Sequence, residues 1–274
     1  MALIDLSGRE DVPVPEEVIA ALLERSEATG LQVLVVGAAA RDLVIHAQLK
    51  ERPARSTLDV DIAVAVGGDG DFTEFCAPFE RIGGSEHAFR VCGAEVDVVP
   101  FGGTESSRTV RFADGNVLDV RGMGEAARTA VRVRMPRGTE VDAADLPAQA
   151  ALKILAWRDR HVLNRKDAVD LATVLNAATK DPFVEHVWGD DKALEAMEWD
   201  IVGAAAFHVG GRAAVPFSRA DGSEVLAVLE GEESRSMLLT DMRDRNGETL
   251  LTGFARGFAA ELGREGRPPQ GRRR

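Results

Sequence analysis

The sequence predicts an α/β fold (α+β in layout), with a small mixed β-sheet in the N-terminal half and a helical C-terminal domain. Two observations predict this class. Apolar segments of strand length alternate with helix-like segments from Leu31 to Met135, and only helical patterns follow from Ala148 onwards. The segment Leu31–Val36, which is apolar except for Gln32, is typical of a strand that is covered on both faces of its sheet.

Local signals place the individual elements. The first helix is predicted over Pro15–Glu27, because Pro15 suits the first helical position and the acids after it suit the positive end of the helix dipole. Further strands are predicted over Thr57–Val66, His87–Val91, Ala94–Val99, Arg108–Phe112, Asn116–Val120 and Val131–Met135. Further helices are predicted over Phe72–Arg81, Gly124–Ala130, Ala148–Arg160, Lys166–Ala178, Asp191–Met197, Glu198–Phe207, Ser223–Leu229, Ser236–Arg243 and Gly247–Leu262.

The length of 274 residues suffices for one large or two modest domains. The turn residues Pro136–Gly138 and the acidic stretch Asp142–Asp145 predict a boundary between two domains. We therefore predict an α/β domain over residues 1–140, a helical domain over residues 141–262 and a disordered basic tail over residues 263–274.

Composition limits the compartment and the partners. The longest apolar runs fall short of the ~18–20 residues that span a bilayer, and acids occupy the N-terminus where a signal peptide would be basic. Cys76 and Cys92 give neither a disulfide framework nor a metal-binding spacing. The expected compartment is the cytoplasm, with no membrane partner.

Charge gives a mixed indication about nucleic acid. The formal net charge of −12 at pH 7 argues against a broad electrostatic attraction to nucleic acid. The arginines between Arg121 and Arg137 nevertheless form a local basic run. This run suits either a solvated charged face or a contact with RNA phosphates.

Three aspartates lie in strands that are otherwise apolar. Asp59 and Asp61 are two residues apart, so their side chains point to the same face of the strand, roughly 6–7 Å from each other. Asp97 occupies the apolar stretch Val96–Val99. Carboxylates in such positions are costly unless they are compensated, and a divalent cation with a polyphosphate is a natural compensation.

A second feature suits phosphate. Gly37 directly follows the apolar strand, Ala38 begins a helix with small side chains, and Arg41 lies one turn into that helix. A helix N-terminus presents unpaired N–H groups to an anion, so this turn predicts a phosphate site. Plain packing of a strand against a helix explains the same pattern equally well.

The helical half carries one candidate cluster. Lys153 lies on a helix face, and Asp167 and Asp170 are three residues apart on the next helix. Two facing helices would bring Lys153 near these acids. One interpretation is an ordinary salt bridge between helices, and the other is a lysine that contacts nucleotide phosphates while the acids hold it in place.

In their order along the chain these motifs resemble a known superfamily. Gly37…Arg41-Asp42, Thr57-Leu58-Asp59-Val60-Asp61 and Val96–Gly102 resemble the DNA polymerase β-like nucleotidyltransferases. Ala151–Trp157 followed by Arg165–Leu171 is similar to the AbiEii-type nucleotidyltransferases, which include the toxins of type IV toxin–antitoxin and abortive-infection systems. The resemblance extends from about Val33 to Leu175.

The resemblance implies an enzyme that moves an NMP from an NTP to an acceptor hydroxyl and releases pyrophosphate. It implies that Asp59, Asp61 and Asp97 ligate Mg²⁺ or Mn²⁺ and that these aspartates and Lys153 are catalytic. The implied nucleotide contacts are Gly37, Ala38, Arg41, Thr57, Lys153, Asp167 and Asp170. The family's first motif usually has Gly-Ser or Gly-Gly, whereas Ala38 follows Gly37 here, so a hydroxyl is missing.

The acceptor stays open at this stage. By resemblance it is an RNA 3′ end, tRNA above all, with a cognate antitoxin as a further partner. A CCA-adding tRNA nucleotidyltransferase is an alternative, although no arginine-rich second motif follows Asp97. A small molecule such as an antibiotic, or a protein side chain, is another acceptor, and a degenerate member would bind nucleotide without turnover.

Overall fold

The structure, a computed structural model, describes residues 3–52 and 59–262. The chain divides into two compact units, of which the first ends at Leu152 and the second begins at Lys153. This division lies within the helix Leu146–Arg160. The domain boundaries given above stay a prediction. Within the described ranges, no helix has the length and apolar character that crossing a membrane requires.

The strands are β1 Leu3–Asp5, β2 Val33–Val35, β3 Asp59–Val66, β4 Glu80–Arg81, β5 Ala88–Val91, β6 Ala94–Gly102, β7 Thr109–Arg111, β8 Val117–Asp119, β9 Val131–Arg134 and β10 Glu140–Ala143. The helices of the first unit are α1 Glu16–Thr29, α2 Gly37–Arg41, α3 Ala47–Leu49, α4 Asp69–Cys76 and α5 Met123–Thr129, with a π-helical turn, Asp42–His46, between α2 and α3. Then follow α6 Leu146–Arg160, α7 Lys166–Ala177, α8 Val184–Trp188, α9 Asp191–Ala196, α10 Ile201–Ala214, α11 Arg219–Glu230, α12 Glu232–Met242 and α13 Gly247–Glu261.

The first unit is built on an eight-stranded sheet in the order β1-β9-β10-β2-β3-β6-β5-β4. The pairs β1–β9, β10–β2 and β3–β6 are parallel, and the other neighbours are antiparallel. Strands β7 and β8 form a separate hairpin, as the sequence predicts. The mixed sheet and the helical character of the described part of the second unit confirm the predicted α/β class.

Three short strands were not predicted from the sequence. Strand β10 lies in the stretch interpreted as an interdomain boundary, and it pairs with both β9 and β2. The predicted helix Phe72–Arg81 is wrong at its end, because α4 stops at Cys76 and Glu80–Arg81 forms strand β4 beside β5. Strand β1 at the sheet edge was also missed. Such strands of two to four residues are too short for a periodic pattern to reveal.

The second unit contains a close helix pair, α10 and α13, whose backbones approach at glycines. A Cβ on Gly210 would lie 2.2 Å from the carbonyl oxygen of Phe254, and one on Gly257 would lie 1.9 Å from that of Phe207. Real Cβ atoms do not approach backbone this closely. The two helices can therefore pack this tightly only because glycine occupies these positions.

Replacing Gly210 with Ala is expected to destabilise the second unit by about 1–3 kcal/mol, because the added methyl group overpacks the interface between α10 and α13. Gly211→Ala is the matched control, since the nearest atom to its new Cβ is a Glu261 side-chain carbon at 3.4 Å. Alanine favours a helix over glycine by ~0.5–1 kcal/mol, so this control should be neutral or stabilising. Urea unfolding measures both, and equal stability of the two variants would contradict the close packing.

Candidate active site

Three aspartates of the first unit form a carboxylate cluster. Asp59 and Asp61 lie on β3 and Asp97 on β6, and the parallel register of these strands sets Asp61 directly beside Asp97. One carboxylate oxygen from each residue lies within 4.8 Å of those from the other two, and all three residues are half-buried. The structure therefore brings together the three residues that the sequence predicts as metal ligands.

The alternation of side chains along the strands explains this cluster. On β3, Val60, Ile62 and Val64 are buried on one face, while Asp59 and Asp61 lie on the other. Val96 and Val98 are likewise buried on β6, and Asp97 between them is half-buried. The apolar residues hold the strands in the core, and the aspartates between them face the more open side.

The turn at Gly37 lies directly against this cluster. Gly37 has a left-handed backbone, with φ +61°, and a Cβ at this position would lie 2.0 Å from Oδ2 of Asp61. The N–H of Val36 donates a hydrogen bond of 3.0 Å to the carbonyl oxygen of Asp61. Glycine is thus required here both by the backbone conformation and by the space that the Asp61 carboxylate occupies.

The other predicted phosphate contacts have different surroundings. Ala38 is half-buried in the first turn of α2, beside Gly37. The Arg41 side chain is buried and its Nη2 lies 3.3 Å from Oδ1 of Asp42. Thr57, and most of the basic loop that precedes β3, lie outside the described residues.

The carboxylate cluster fits a divalent cation. Three hard oxygen donors are the ligand type that Mg²⁺ and Mn²⁺ prefer. Carboxylates this close also repel one another when ionised, and a cation held between them would relieve that repulsion. The residues present therefore match the metal that the sequence predicts.

Lys153 belongs to an ion-pair cluster within the second unit. Its Nζ donates hydrogen bonds to Oδ1 of Asp167 at 3.0 Å and to Oδ2 of Asp170 at 2.8 Å. Nε and Nη2 of Arg160 donate to the two oxygens of Asp167, at 2.6 and 2.9 Å. The interhelix salt bridge predicted from the sequence is thus present between α6 and α7.

The ion-pair cluster lowers the pKa of Asp167. Burial alone would raise the pKa of Asp167, but the hydrogen bond from Arg160 and the charge of Lys153 outweigh burial and hold this pKa below its ordinary value. Asp167 therefore stays ionised, and its charge anchors Lys153 and Arg160 on the surface between the two helices. A role of Lys153 in binding nucleotide stays a prediction.

The basic run of the first unit is occupied by internal ion pairs. Each of its five arginines contacts a carboxylate of its own unit: Arg121 with Asp119 at 2.5 Å, Arg128 with Glu125 at 3.3 Å, Arg132 with Asp142 at 2.8 Å, Arg134 with Glu140 at 2.8 Å and Arg137 with Glu17 at 2.8 Å. This pairing favours the interpretation of the run as a solvated charged face and gives RNA binding no added support.

Two residues beside the cluster were not singled out from the sequence. Glu95 on β6 stands opposite Asp59 on β3, and Arg90 on β5 stands opposite Glu95. Glu95 is two residues before Asp97, so the spacing along β6 puts it on the aspartates' side of the sheet. Arg90 shares that side only because it is paired with Glu95 across the turn Cys92-Gly93. Spacing along the chain does not show this pairing.

No family model matches the chain, and no curated protein matches it. Among solved structures, the chain is similar to the antibiotic-resistance factor ANT(2'')-Ia, whose solution structure is described as revealing substrate-regulated conformation dynamics. The TM-score is 0.34 and the identity 13%, over 65% of this chain and 91% of that chain. A similarity of this size carries no argument about function. The functional argument therefore rests on the geometry of the carboxylate cluster.

Proposed function

We propose that the chain is a metal-dependent nucleotidyltransferase of the polymerase β-like kind, which moves an NMP from an NTP to an acceptor hydroxyl. The observation that carries this proposal is the contact between the carboxylate cluster and the Gly37 turn. Metal ligands and a phosphate-binding backbone at one point are what a metal-bound triphosphate needs. A structural aspartate would need neither the other two carboxylates nor a glycine against it.

Each group has a defined task in this reaction. Asp59, Asp61 and Asp97 would hold Mg²⁺ or Mn²⁺, which when bound neutralises the triphosphate charge and stabilises the attacking and leaving oxygens. The backbone N–H groups at Gly37 and Ala38 take phosphate oxygens in place of the missing hydroxyl. The oxygen of the acceptor hydroxyl bonds to the α-phosphorus while Asp97 accepts the hydroxyl proton. The bond between the α-phosphorus and the pyrophosphate oxygen breaks, and pyrophosphate leaves.

Further roles in the proposal come from the sequence resemblance alone. They are the contacts of Arg41, Thr57 and Lys153 with the nucleotide, and the part of Asp167 and Asp170 in holding Lys153. The same resemblance makes an RNA 3′ end, tRNA above all, the proposed acceptor, in an AbiEii-type toxin with a cognate antitoxin. The internal pairing of the basic run gives this acceptor no added support, so the experiment must include other acceptors.

The assay uses α-labelled NTPs, one at a time, with Mg²⁺ and total RNA. Parallel reactions contain a hydroxyl-bearing antibiotic or a protein in place of the RNA. We expect label to appear on RNA together with released pyrophosphate, and both to disappear when EDTA removes the metal. Pyrophosphate release with no label on RNA would refute the RNA acceptor and direct the search to small molecules or protein. Mg²⁺-dependent NTP binding with no pyrophosphate release from any NTP and acceptor would refute the proposed enzyme and indicate a degenerate member.

A further inference from the structure

We propose that Arg90 binds a phosphate group of the acceptor, next to the hydroxyl that receives the nucleotide. This inference rests on the proposed nucleotidyl transfer and names the acceptor's chemistry: a phosphate-bearing chain end with a free hydroxyl. It depends on the strand register, on which residues of β5 and β6 are buried, and on the side of the cluster that Arg90 occupies.

The register sets Arg90 in line with the carboxylate cluster. Asp59 on β3 is opposite Glu95 on β6, Glu95 is opposite Arg90 on β5, and Arg90 is opposite Glu80 on β4. One row of four charged residues therefore crosses four neighbouring strands. Asp61 and Asp97 form the next row on the same face, two residues further along the strands.

Burial shows that this row lies on the open face of the sheet. Phe89 and Val91, the neighbours of Arg90 on β5, are buried, while half of the Arg90 side chain is exposed. Val96, the neighbour of Glu95, is also buried, and Glu95 is exposed. Because alternate residues of a strand point to opposite faces, Arg90, Glu95 and Asp97 share the aspartates' face.

Arg90 is positioned to bind the acceptor rather than the triphosphate. Gly37 follows β2, on one side of the cluster, whereas Arg90 lies on β5, on the other side. In an in-line transfer the leaving pyrophosphate and the attacking oxygen lie on opposite sides of the α-phosphorus. If the triphosphate lies at the Gly37 turn, the acceptor enters from the side of Arg90.

The distance suits a chain end. Neighbouring strands are ~4.8 Å apart, so the backbone of Arg90 lies about 10 Å across the sheet from that of Asp59. An extended arginine side chain covers much of this distance. The phosphate that precedes a terminal ribose would lie between the guanidinium and the reacting hydroxyl.

The present partner of Arg90 leaves it available. Its Nε lies 3.9 Å from Oε2 of Glu80, and the side chains are 50% and 77% exposed. Exposed ion pairs of this kind contribute little, whereas a guanidinium binds phosphate with two parallel hydrogen bonds. Glu95, which is opposite Arg90, would instead bind a cationic acceptor. Substituting Arg90 and Glu95 separately therefore shows whether the acceptor is anionic or cationic.

The test measures binding of a fluorescent oligoribonucleotide with a free 3′-hydroxyl to the full chain, with Mg²⁺ and a non-hydrolysable NTP. Arg90→Gln should weaken binding about 10- to 100-fold, as loss of a hydrogen-bonded ion pair does. Arg90→Lys should recover part of the affinity. Arg81→Gln is the matched control, because Arg81 is an exposed arginine of β4 that pairs with the buried Phe89, on the other face.

The inference would be supported by weakened binding in Arg90→Gln, unchanged binding in Arg81→Gln, and equal or tighter binding in Glu95→Gln, which removes a charge that repels phosphate. It would be overturned if the wild type does not bind, if Arg90→Gln binds like the wild type, if Arg81→Gln loses as much, or if Glu95→Gln is the variant that weakens binding. Thermal unfolding checks that the variants fold. Pyrophosphate release, measured separately, reports on the proposed function, so wild-type release without an Arg90 effect refutes this inference alone.

Discussion

Replacing Asp61 with Asn should lower the rate of NMP transfer by about a thousandfold or more. The substitution keeps the size of the side chain but removes the charge next to both Asp97 and Gly37. Metal-bound charge stabilisation contributes several kcal/mol, and each ~1.4 kcal/mol changes the rate tenfold. Pyrophosphate release from a labelled NTP measures the loss.

Asp191→Asn is the matched control for this prediction. Asp191 is an exposed carboxylate in the first turn of α9, so the same chemical change there should leave the rate unaltered. Thermal unfolding of both variants shows whether Asp61→Asn folds. A folded Asp61→Asn protein with a rate within about threefold of the wild type, less than 1.4 kcal/mol, would refute the catalytic role of the cluster.

Gly37→Ala is expected to reduce the rate about a hundredfold, although the residue carries no reactive group. An alanine Cβ would lie 2.0 Å from Oδ2 of Asp61, so the carboxylate must move from its present position. A displacement of about 1 Å in a catalytic group costs ~10²-fold in rate. Steady-state kinetics at saturating Mg²⁺ and NTP measures this effect.

Gly30→Ala separates backbone strain from displacement of Asp61. Gly30 has φ +70°, close to that of Gly37, but a Cβ there would meet nothing within 4 Å. Both alanines bear the left-handed conformation, at a cost of ~1–2 kcal/mol in stability. Only Gly37→Ala should lose activity, and equal activity of the two variants would show that Asp61 does not depend on Gly37.

The sequence was sufficient for what depends on one strand or one helix pair. The spacing of Asp59 and Asp61 puts them on one face whatever the partner strand is. The apolar stretch around Asp97 identified a further strand. The salt bridge of Lys153 with Asp167 and Asp170 followed from two consecutive helices, which pack against each other over a short connection.

What the sequence could not show depends on contacts between distant segments. The parallel pairing of β3 with β6, and hence the row that contains Glu95 and Arg90, is a property of register across the sheet. Gly37 was interpreted as a phosphate turn, but its contact with Asp61 comes from a strand more than twenty residues away. The partners of Arg132 and Arg137 are also on other elements, so the sequence alone did not show that these arginines of the basic run have carboxylate partners.

The central claim is that Asp59, Asp61 and Asp97 hold a divalent cation, and a titration of Mn²⁺ followed by electron paramagnetic resonance tests it most directly. Mn²⁺ replaces Mg²⁺ at oxygen sites and its free form gives a distinct signal. We predict that the wild type binds Mn²⁺ with an affinity that Asp61→Asn loses and Asp191→Asn keeps. Equal Mn²⁺ binding by the wild type and Asp61→Asn would contradict the claim.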